Sequence, residues 1–148
     1  MSGSVFDELT QIMARLRAPD GCPWDREQTM ADLGRYIHEE ATEVVEAIES
    51  GEMSHIQEEL GDLLFNIIHA ACIADERGEF TIRGVIEGAR DKIIRRHPHV
   101  FGDETAKTKE EVLEHWNRVK SAEKQAAKSA AKRAPEAPLP QEKKRLDG

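Results

Sequence analysis

A chain of 148 residues, 39% of them hydrophobic, is long enough for one domain with its own core and short for two. Its ordinary content of glycine and proline excludes a fibrous protein and a chain that is disordered throughout. The net charge is −8, and no apolar stretch reaches the roughly 18 residues that a membrane span requires.

The charge is unevenly distributed along the chain. Residues 1–120 contain 14 Lys/Arg and 25 Asp/Glu, whereas residues 121–148 contain seven and four. An acidic body argues against binding to a nucleic-acid duplex, because phosphate contacts need clustered cations. It remains compatible with a small phosphate ligand whose charge is neutralised by metal ions.

The first residues do not have the basic and then apolar pattern of a signal peptide. The two cysteines, Cys22 and Cys72, have neither a CxxC nor a zinc-finger spacing. We therefore expect free thiols and a cytoplasmic protein that does not associate with membranes.

Helical periodicity dominates the sequence and predicts an all-α fold, a bundle of about five helices. The first helix is predicted over residues 4–17, ending at an Ala-Pro-Asp-Gly turn. A loop with the sequence GCPWDREQT follows. Thr29 is then the expected N-cap of a second helix over residues 30–50, which ends at Gly51.

Three further helices are predicted. Ser54 and Gln57 form a candidate capping box for the third, which is expected to end near Arg77. The fourth is predicted from Thr81 to Arg96, before Pro98, and the fifth begins at a capping box of Thr108 and Glu111. We predict one domain over residues 1–124 and a partly disordered Ala/Lys/Pro-rich tail over 125–148, whose first stretch can extend the last helix.

Two acidic motifs lie on consecutive predicted helices: EEATE at residues 39–43 and EELGD at residues 58–62. Acidic residues on a helix usually face solvent. On a helical wheel, however, Glu40 lies within the apolar stripe and Glu43 borders it. The third helix is apolar nearly all round between residues 60 and 74, which predicts burial on most sides. One polar line crosses it: Glu59, Asp62, Asn66 and His69.

Carboxylates in such surroundings require compensation by a cation. Neither helix contains a lysine, and Arg35 is expected to face away from the carboxylates. Carboxylate oxygens from two helices form a hard ligand set that suits Mg²⁺ or Mn²⁺. The sequence therefore predicts a metal site formed by Glu40, Glu43, Glu59 and Asp62.

The pattern EExxE, a spacer of 15 residues and ExxD resembles the signature of the all-α NTP pyrophosphatases, and the MazG branch in particular. The flanking blocks GCPWDREQT, GDLLF, DKIIRRHPHVFG and EEVLEHWNRVKSAEK agree with it, so the resemblance covers about residues 5–124. It implies a helical bundle that forms homodimers or homotetramers. It also implies Mg²⁺-dependent hydrolysis of NTPs or dNTPs to a nucleoside monophosphate and pyrophosphate, with Mn²⁺ as a substitute metal, and by analogy a role in clearing unwanted nucleotides.

The resemblance also implies residue roles. The metal ligands fall on Glu40, Glu43, Glu59 and Asp62, the phosphate contacts on Lys92 and Arg96, and further substrate contacts on Trp116 and Lys120. Glu39 and Glu43 are both candidates for the general base. Lys92 and Arg96 are four residues apart and share one helix face. An ordinary basic helix end is the alternative interpretation of that pair.

Other residues admit simpler interpretations. Trp24 and Trp116 are as compatible with a core position as with a binding site. His97 and His99 flank a proline without a third ligand nearby, which favours a turn over a metal site. His69 is expected to be a core histidine.

Two alternatives to the broad-substrate enzyme remain. One is a narrow dCTP or dUTP pyrophosphatase, and the other is a non-catalytic helical adaptor. A homo-oligomer, a dimer or a tetramer, is expected, because five helices would not cover the third helix completely.

Overall fold

The computed structural model describes residues 3–133, which form seven α-helices and no strand. This confirms the predicted all-α fold. The five long helices correspond to the five predicted ones, and two short helices lie between them. The helices are α1 (Val5–Arg17), α2 (Pro23–Glu27), α3 (Met30–Ser50), α4 (Met53–Glu76), α5 (Ile82–Arg96), α6 (Pro98–Phe101) and α7 (Lys109–Arg133).

The chain forms two compact units, Met1–Ala89 and Arg90–Gly148. The first contains α1 to α4 and the beginning of α5; the second contains the end of α5, α6 and α7. The buried apolar side chains of the described residues all belong to the first unit: Met13, Leu33, Val44, Ala47, Ile68, Ala71, Ile73 and Ala74. Within residues 3–133, no helix combines the length and apolarity needed to cross a membrane.

Helices α3 and α4 form the centre of the first unit, and the predicted bounds of α3 are confirmed. Thr29 Oγ1 accepts a hydrogen bond from the backbone N–H of Asp32, whose carboxylate accepts one from the N–H of Thr29. Gly51 ends α3 with a φ of 75°, a conformation that favours glycine. Only Gly51 and Glu52 connect α3 to α4, and so short a link makes the two helices antiparallel neighbours.

The predicted capping box at Ser54 is wrong. Helix α4 begins at Met53, its N-cap is Glu52, and no side chain caps it. Since Glu52 is extended directly after the left-handed Gly51, the helix has already begun at Ser54. At Thr108 the expected N-cap bond is present, from Glu111 N to Thr108 Oγ1. The carboxylate of Glu111 accepts instead from the backbone of Lys107, so only half of that box forms.

The segment predicted as a loop over residues 21–29 contains the short helix α2, which corrects that prediction. Pro23 occupies its first turn, where a missing N–H costs nothing. Gly21 is required just before it, because a Cβ there would overlap the carbonyl oxygens of Arg15 and Leu16. The close turn allows Cys22 N to donate to Leu16 O at 2.7 Å.

Arg17, at the end of α1, binds both the α2 segment and the end of α4. The side chain of Arg17 is only 9% exposed and forms two hydrogen bonds with Glu76, of 2.6 and 2.9 Å. It also donates to the backbone carbonyls of Asp25 and Gln28, and it lies 3.3 Å from His69 Nε2. His69 is buried, as expected, and burial lowers its pKa.

The prediction that the third helix is buried on most sides is wrong for this chain by itself. Apart from Glu59, the buried residues of α4 lie between Ile68 and Ala74, whereas Leu60, Leu64 and Ile67 are 49%, 38% and 37% exposed. Helix α7 continues to Arg133, so the beginning of the predicted tail extends the last helix. The rest of that tail, residues 134–148, lies outside the described residues.

Candidate metal centre

Three acidic side chains of α3 and α4 lie together. Glu40 and Glu43 are one turn apart on α3, and Glu59 lies near the start of α4. One carboxylate oxygen of each is within 4.8 Å of the others. In the described residues this is the only group of three or more His, Cys, Asp or Glu side chains that meets so closely. We call Glu40, Glu43 and Glu59 the carboxylate cluster.

Two oxygens of the carboxylate cluster are shielded from solvent without a hydrogen-bond partner: Oε2 of Glu40 and Oε2 of Glu59. Burial raises the pKa of Glu40, and the charges of Glu43, Asp62 and Glu59 raise it further. The charge of Glu59 is the largest cause of the raised pKa of Glu43. The cluster is therefore a concentration of negative charge without enough compensation from the described residues.

Arg35 does not provide that compensation. It binds Asp32 at 3.0 Å, and its guanidinium lies 5.3 Å from the centre of the Tyr36 ring. This agrees with the expectation that it faces away from the carboxylates. A buried anionic oxygen without a partner is costly, so the arrangement favours a bound cation.

The remaining acidic candidates differ in position. Asp62, one turn after Glu59, is not among the three closest side chains, although its charge acts on both Glu40 and Glu43. Glu39 is exposed on α3 and is likewise outside the cluster. Three of the four predicted metal ligands thus lie in one group in the structure. The fourth, Asp62, is close enough for its charge to raise the pKa of Glu40 and of Glu43.

Sequence reasoning missed His55, whose Nε2 lies 2.9 Å from Oε1 of Glu59. The two residues are four apart on α4, the spacing of neighbours on one helix face. That spacing is the signal by which the sequence indicates this contact.

The candidate phosphate and nucleoside contacts belong to the second unit. Lys92 and Lys120 are exposed. Arg96 is only 14% exposed: it donates to Glu123 at 2.8 and 3.3 Å, and its guanidinium lies 4.9 Å from the centre of the Trp116 ring. The structure thus brings Arg96 and Trp116 into contact.

Glu123 is a second residue that sequence reasoning missed. It accepts hydrogen bonds from Arg96 and from the neighbouring Arg95, and these bonds, with that of Arg96 the largest cause, lower its pKa. The sequence showed Glu123 only as one charge in a long polar helix. Trp24, in the first unit, is 56% exposed and its ring centre lies 5.7 Å from that of Tyr36, so it is not a core tryptophan.

Comparison with known proteins shows which family this chain is similar to. The model of the MazG nucleotide pyrophosphohydrolase domain matches residues 28–101, which include both acidic motifs. A Thermotoga maritima protein named nucleoside triphosphate pyrophosphohydrolase/pyrophosphatase MazG is 45% identical over 129 residues, covering 87% of this chain and 49% of that protein. The Escherichia coli K12 nucleoside triphosphate pyrophosphohydrolase is 44% identical over 120 residues, covering 80% and 46%.

The chain thus spans about half the length of these curated relatives. A solved structure is also similar: the crystal structure of a mazG-related protein from Thermotoga maritima has a TM-score of 0.66 and 26% identity. The match covers 78% of this chain and 98% of that one. The family model matches half of the chain, and both acidic motifs lie inside the match. This chain therefore belongs to the MazG nucleotide pyrophosphohydrolase domain family.

Proposed function

We propose that this protein hydrolyses nucleoside triphosphates to a nucleoside monophosphate and pyrophosphate, using Mg²⁺ held by Glu40, Glu43, Glu59 and Asp62. The observation that carries the proposal is the carboxylate cluster with its two buried oxygens that lack partners. The similarity of this chain to relatives named nucleoside triphosphate pyrophosphohydrolase supports the same reaction.

The donor set fits the proposed metal. Carboxylate oxygens are the ligands that Mg²⁺ and Mn²⁺ prefer, whereas Zn²⁺ and Cu²⁺ favour nitrogen or sulfur. A bound Mg²⁺ would stabilise charge on the triphosphate oxygens and make water more acidic. Glu40 and Glu59 supply the buried oxygens, which have no other partner in the described residues. His55 holds the other oxygen of Glu59 and limits its rotation.

The proposed chemical step is an in-line attack by water on the α-phosphorus. The new P–O bond forms as the bond to the bridging oxygen of the β-phosphate breaks, and pyrophosphate leaves. Glu39 or Glu43 accepts the proton of the attacking water. Lys92 and Arg96 contact phosphate oxygens and stabilise the charge of the leaving group. Trp116 and Lys120 contact the rest of the nucleotide.

Product analysis tests the proposal directly. The full chain is incubated with a panel of NTPs and dNTPs, with Mg²⁺ or with EDTA, and the phosphate products are separated. We expect a monophosphate and pyrophosphate with Mg²⁺ and no turnover with EDTA. Turnover restricted to dCTP or dUTP would support the narrow pyrophosphatase. No turnover with Mg²⁺ or Mn²⁺ would contradict the enzyme and favour the helical adaptor.

The role of Arg96 can be separated from that of its neighbour. Since Arg95 and Arg96 bind the same glutamate, the Arg95→Gln variant is a matched control for Arg96→Gln. We expect Arg96→Gln to lower kcat/KM for the triphosphate by at least about tenfold, roughly 1.4 kcal/mol, through loss of a charged phosphate contact. The Arg95→Gln variant should stay within about twofold. Equal losses would mean that the pair acts only through Glu123.

We also propose a homo-oligomer, a dimer or a tetramer, that covers the exposed part of α4. Leu60, Leu64 and Ile67 are three large apolar side chains on one helix, and burying them between subunits would remove that surface from water. Sedimentation at micromolar concentration should show an assembly larger than 16.7 kDa. A monomer alone would contradict this proposal without affecting the catalytic one.

A further inference from the structure

Two histidines of the second unit share an unusual environment. His99 lies in α6 and His115 in α7, with their ring centres 5.7 Å apart. The Nδ1 atom of each ring is inaccessible to solvent and has no hydrogen-bond partner. A buried polar nitrogen without a partner is unfavourable and uncommon in folded proteins. Here two such atoms occur on neighbouring rings, which we call the histidine pair.

The carboxylate of Glu104 lies beside one of the two ring nitrogens of His115. Its Oε2 lies 3.3 Å from Nε2 of His115, while Arg118 donates to both carboxylate oxygens at 2.6 and 2.7 Å. These two charge-assisted bonds from a guanidinium stabilise the anionic form of the Glu104 carboxylate. An anionic oxygen beside Nε2 favours a proton there, which leaves a lone pair on Nδ1 of His115.

A carboxylate beside the second ring nitrogen is a feature that many metal-bound imidazoles share. Ligating histidines commonly donate their second ring N–H to a carboxylate, which fixes the tautomer and the ring orientation. An ion about 2.0–2.1 Å from two imidazole nitrogens, at a tetrahedral angle, would hold the ring centres roughly 5 Å apart. The 5.7 Å separation of the histidine pair is close to that value.

We propose that His99 and His115 bind one transition-metal ion of the Zn²⁺, Ni²⁺ or Cu²⁺ class through their Nδ1 atoms. Imidazole nitrogens suit these ions and not Mg²⁺, so the site differs in chemistry from the carboxylate cluster. No third ligand atom is gathered among the described residues, so the two imidazoles are the protein ligands that these residues supply. The spacing of the histidines around Pro98 does not indicate this pair, because His115 lies on a different helix.

The consequence concerns Trp116, which follows His115 directly. The His97 ring packs edge-on against Trp116 at 5.4 Å, and Arg96 lies over the same indole. An ion bridging the histidine pair ties α6 to α7 at this point. Transition metals would therefore fix the surroundings of Trp116 and Arg96 independently of the carboxylate cluster.

Fluorescence of Trp116 provides the test. Since the chain has two tryptophans, Trp24→Phe leaves Trp116 as the only indole. The full-length Trp24→Phe protein is titrated with Cu²⁺ in excess Mg²⁺, and Zn²⁺ is added as a competitor. We expect saturable quenching that Zn²⁺ reverses. His99→Gln and His115→Gln should each abolish the saturable phase, and Glu104→Gln should weaken binding about 10–100-fold.

Two control variants locate the binding. His38 is an exposed histidine of the first unit, and His38→Gln should leave the quenching unchanged. Glu59→Gln, which alters the carboxylate cluster, should also leave it unchanged. Unaltered affinity in both His99→Gln and His115→Gln, or loss of the quenching in Glu59→Gln, would overturn the proposal. If circular dichroism shows that His115→Gln is unfolded, Glu104→Gln decides, because it retains both rings: unchanged affinity there would contradict the site.

Discussion

The substitution Glu59→Gln is expected to lower kcat for triphosphate hydrolysis by at least about 100-fold, equivalent to roughly 2.7 kcal/mol of transition-state stabilisation. Glutamine has nearly the same shape but removes the charge from the most buried member of the carboxylate cluster. One metal ligand becomes neutral, and the bond from His55 loses its anionic partner. Steady-state kinetics over a range of Mg²⁺ concentrations measures the effect.

The same variant should affect stability in the opposite direction. Since Glu59 is the largest cause of the raised pKa of Glu43, removing its charge relieves repulsion within the cluster. We expect metal-free Glu59→Gln to melt at or above the temperature of the metal-free wild type. Added Mg²⁺ should raise the melting temperature of the wild type much more than that of the variant.

Glu49→Gln is the matched control, because Glu49 is exposed on α3 and outside the cluster. It should change kcat by no more than about twofold, as expected of an exposed surface substitution. Full Mg²⁺-dependent activity in Glu59→Gln would contradict the metal assignment. A lowered melting temperature with lost activity would mean that Glu59 serves the fold and not the chemistry.

The substitution Arg17→Met should destabilise the first unit by about 3 kcal/mol, because it removes a nearly buried guanidinium and leaves its partners without a donor. Arg17 joins the end of α1 to Glu76, to His69 and to two backbone carbonyls of the α2 segment. Methionine retains much of the packing volume and none of the bonds. Urea denaturation followed by circular dichroism measures the free energy of unfolding.

The matched control is Arg15→Met on the same helix. Arg15 also forms two bonds with a carboxylate, that of Asp20, but the two side chains are 62% and 78% exposed. An exposed pair contributes about 0–1 kcal/mol, so this variant should be close to the wild type. Equal effects of the two substitutions would contradict the importance assigned to the buried position.

The contribution of Arg17 should also depend on pH. Its hydrogen bond is the largest cause of the lowered pKa of Glu76. A carboxyl with a lowered pKa in the folded state stabilises the protein above its unfolded pKa, about 4.3 for glutamate, and loses that effect as the pH falls. The difference in stability between wild type and Arg17→Met should therefore narrow below about pH 4. A constant difference down to pH 3 would mean that packing, not charge, dominates.

Much of the fold follows from local signals that the sequence contains. The bounds of α3 agree with prediction because Thr29 and Asp32 form a cap within four residues and Gly51 adopts a left-handed conformation. The start of α4 differs because the short turn preceding it, not the side chain of Ser54, decides where the helix begins. Helix α2 was missed because a helix of five residues has almost no periodicity.

Helix geometry predicts which carboxylates of the candidate metal site share a helix face. It does not predict which carboxylates of the two helices lie within 4.8 Å of one another. Spacing alone placed Glu40 and Glu43 on one face of α3, since that relation depends only on the helical repeat. The distance from that face to Glu59 depends on how α3 packs against α4. Glu59, and not Asp62, joins Glu40 and Glu43 in the cluster because of the tertiary packing of the two helices.

The sequence by itself determined the helical fold, the acidic pattern and the resemblance to the MazG family, because each depends on residues that are near one another in the chain. Only the tertiary structure brought Arg17 to Glu76, Arg96 to Glu123 and His99 to His115. These pairs are 59, 27 and 16 residues apart, and no local rule relates such positions. Packing accounts for the first of these pairs, because α1 and α4 belong to the unit that buries Met13, Ile68 and Ile73.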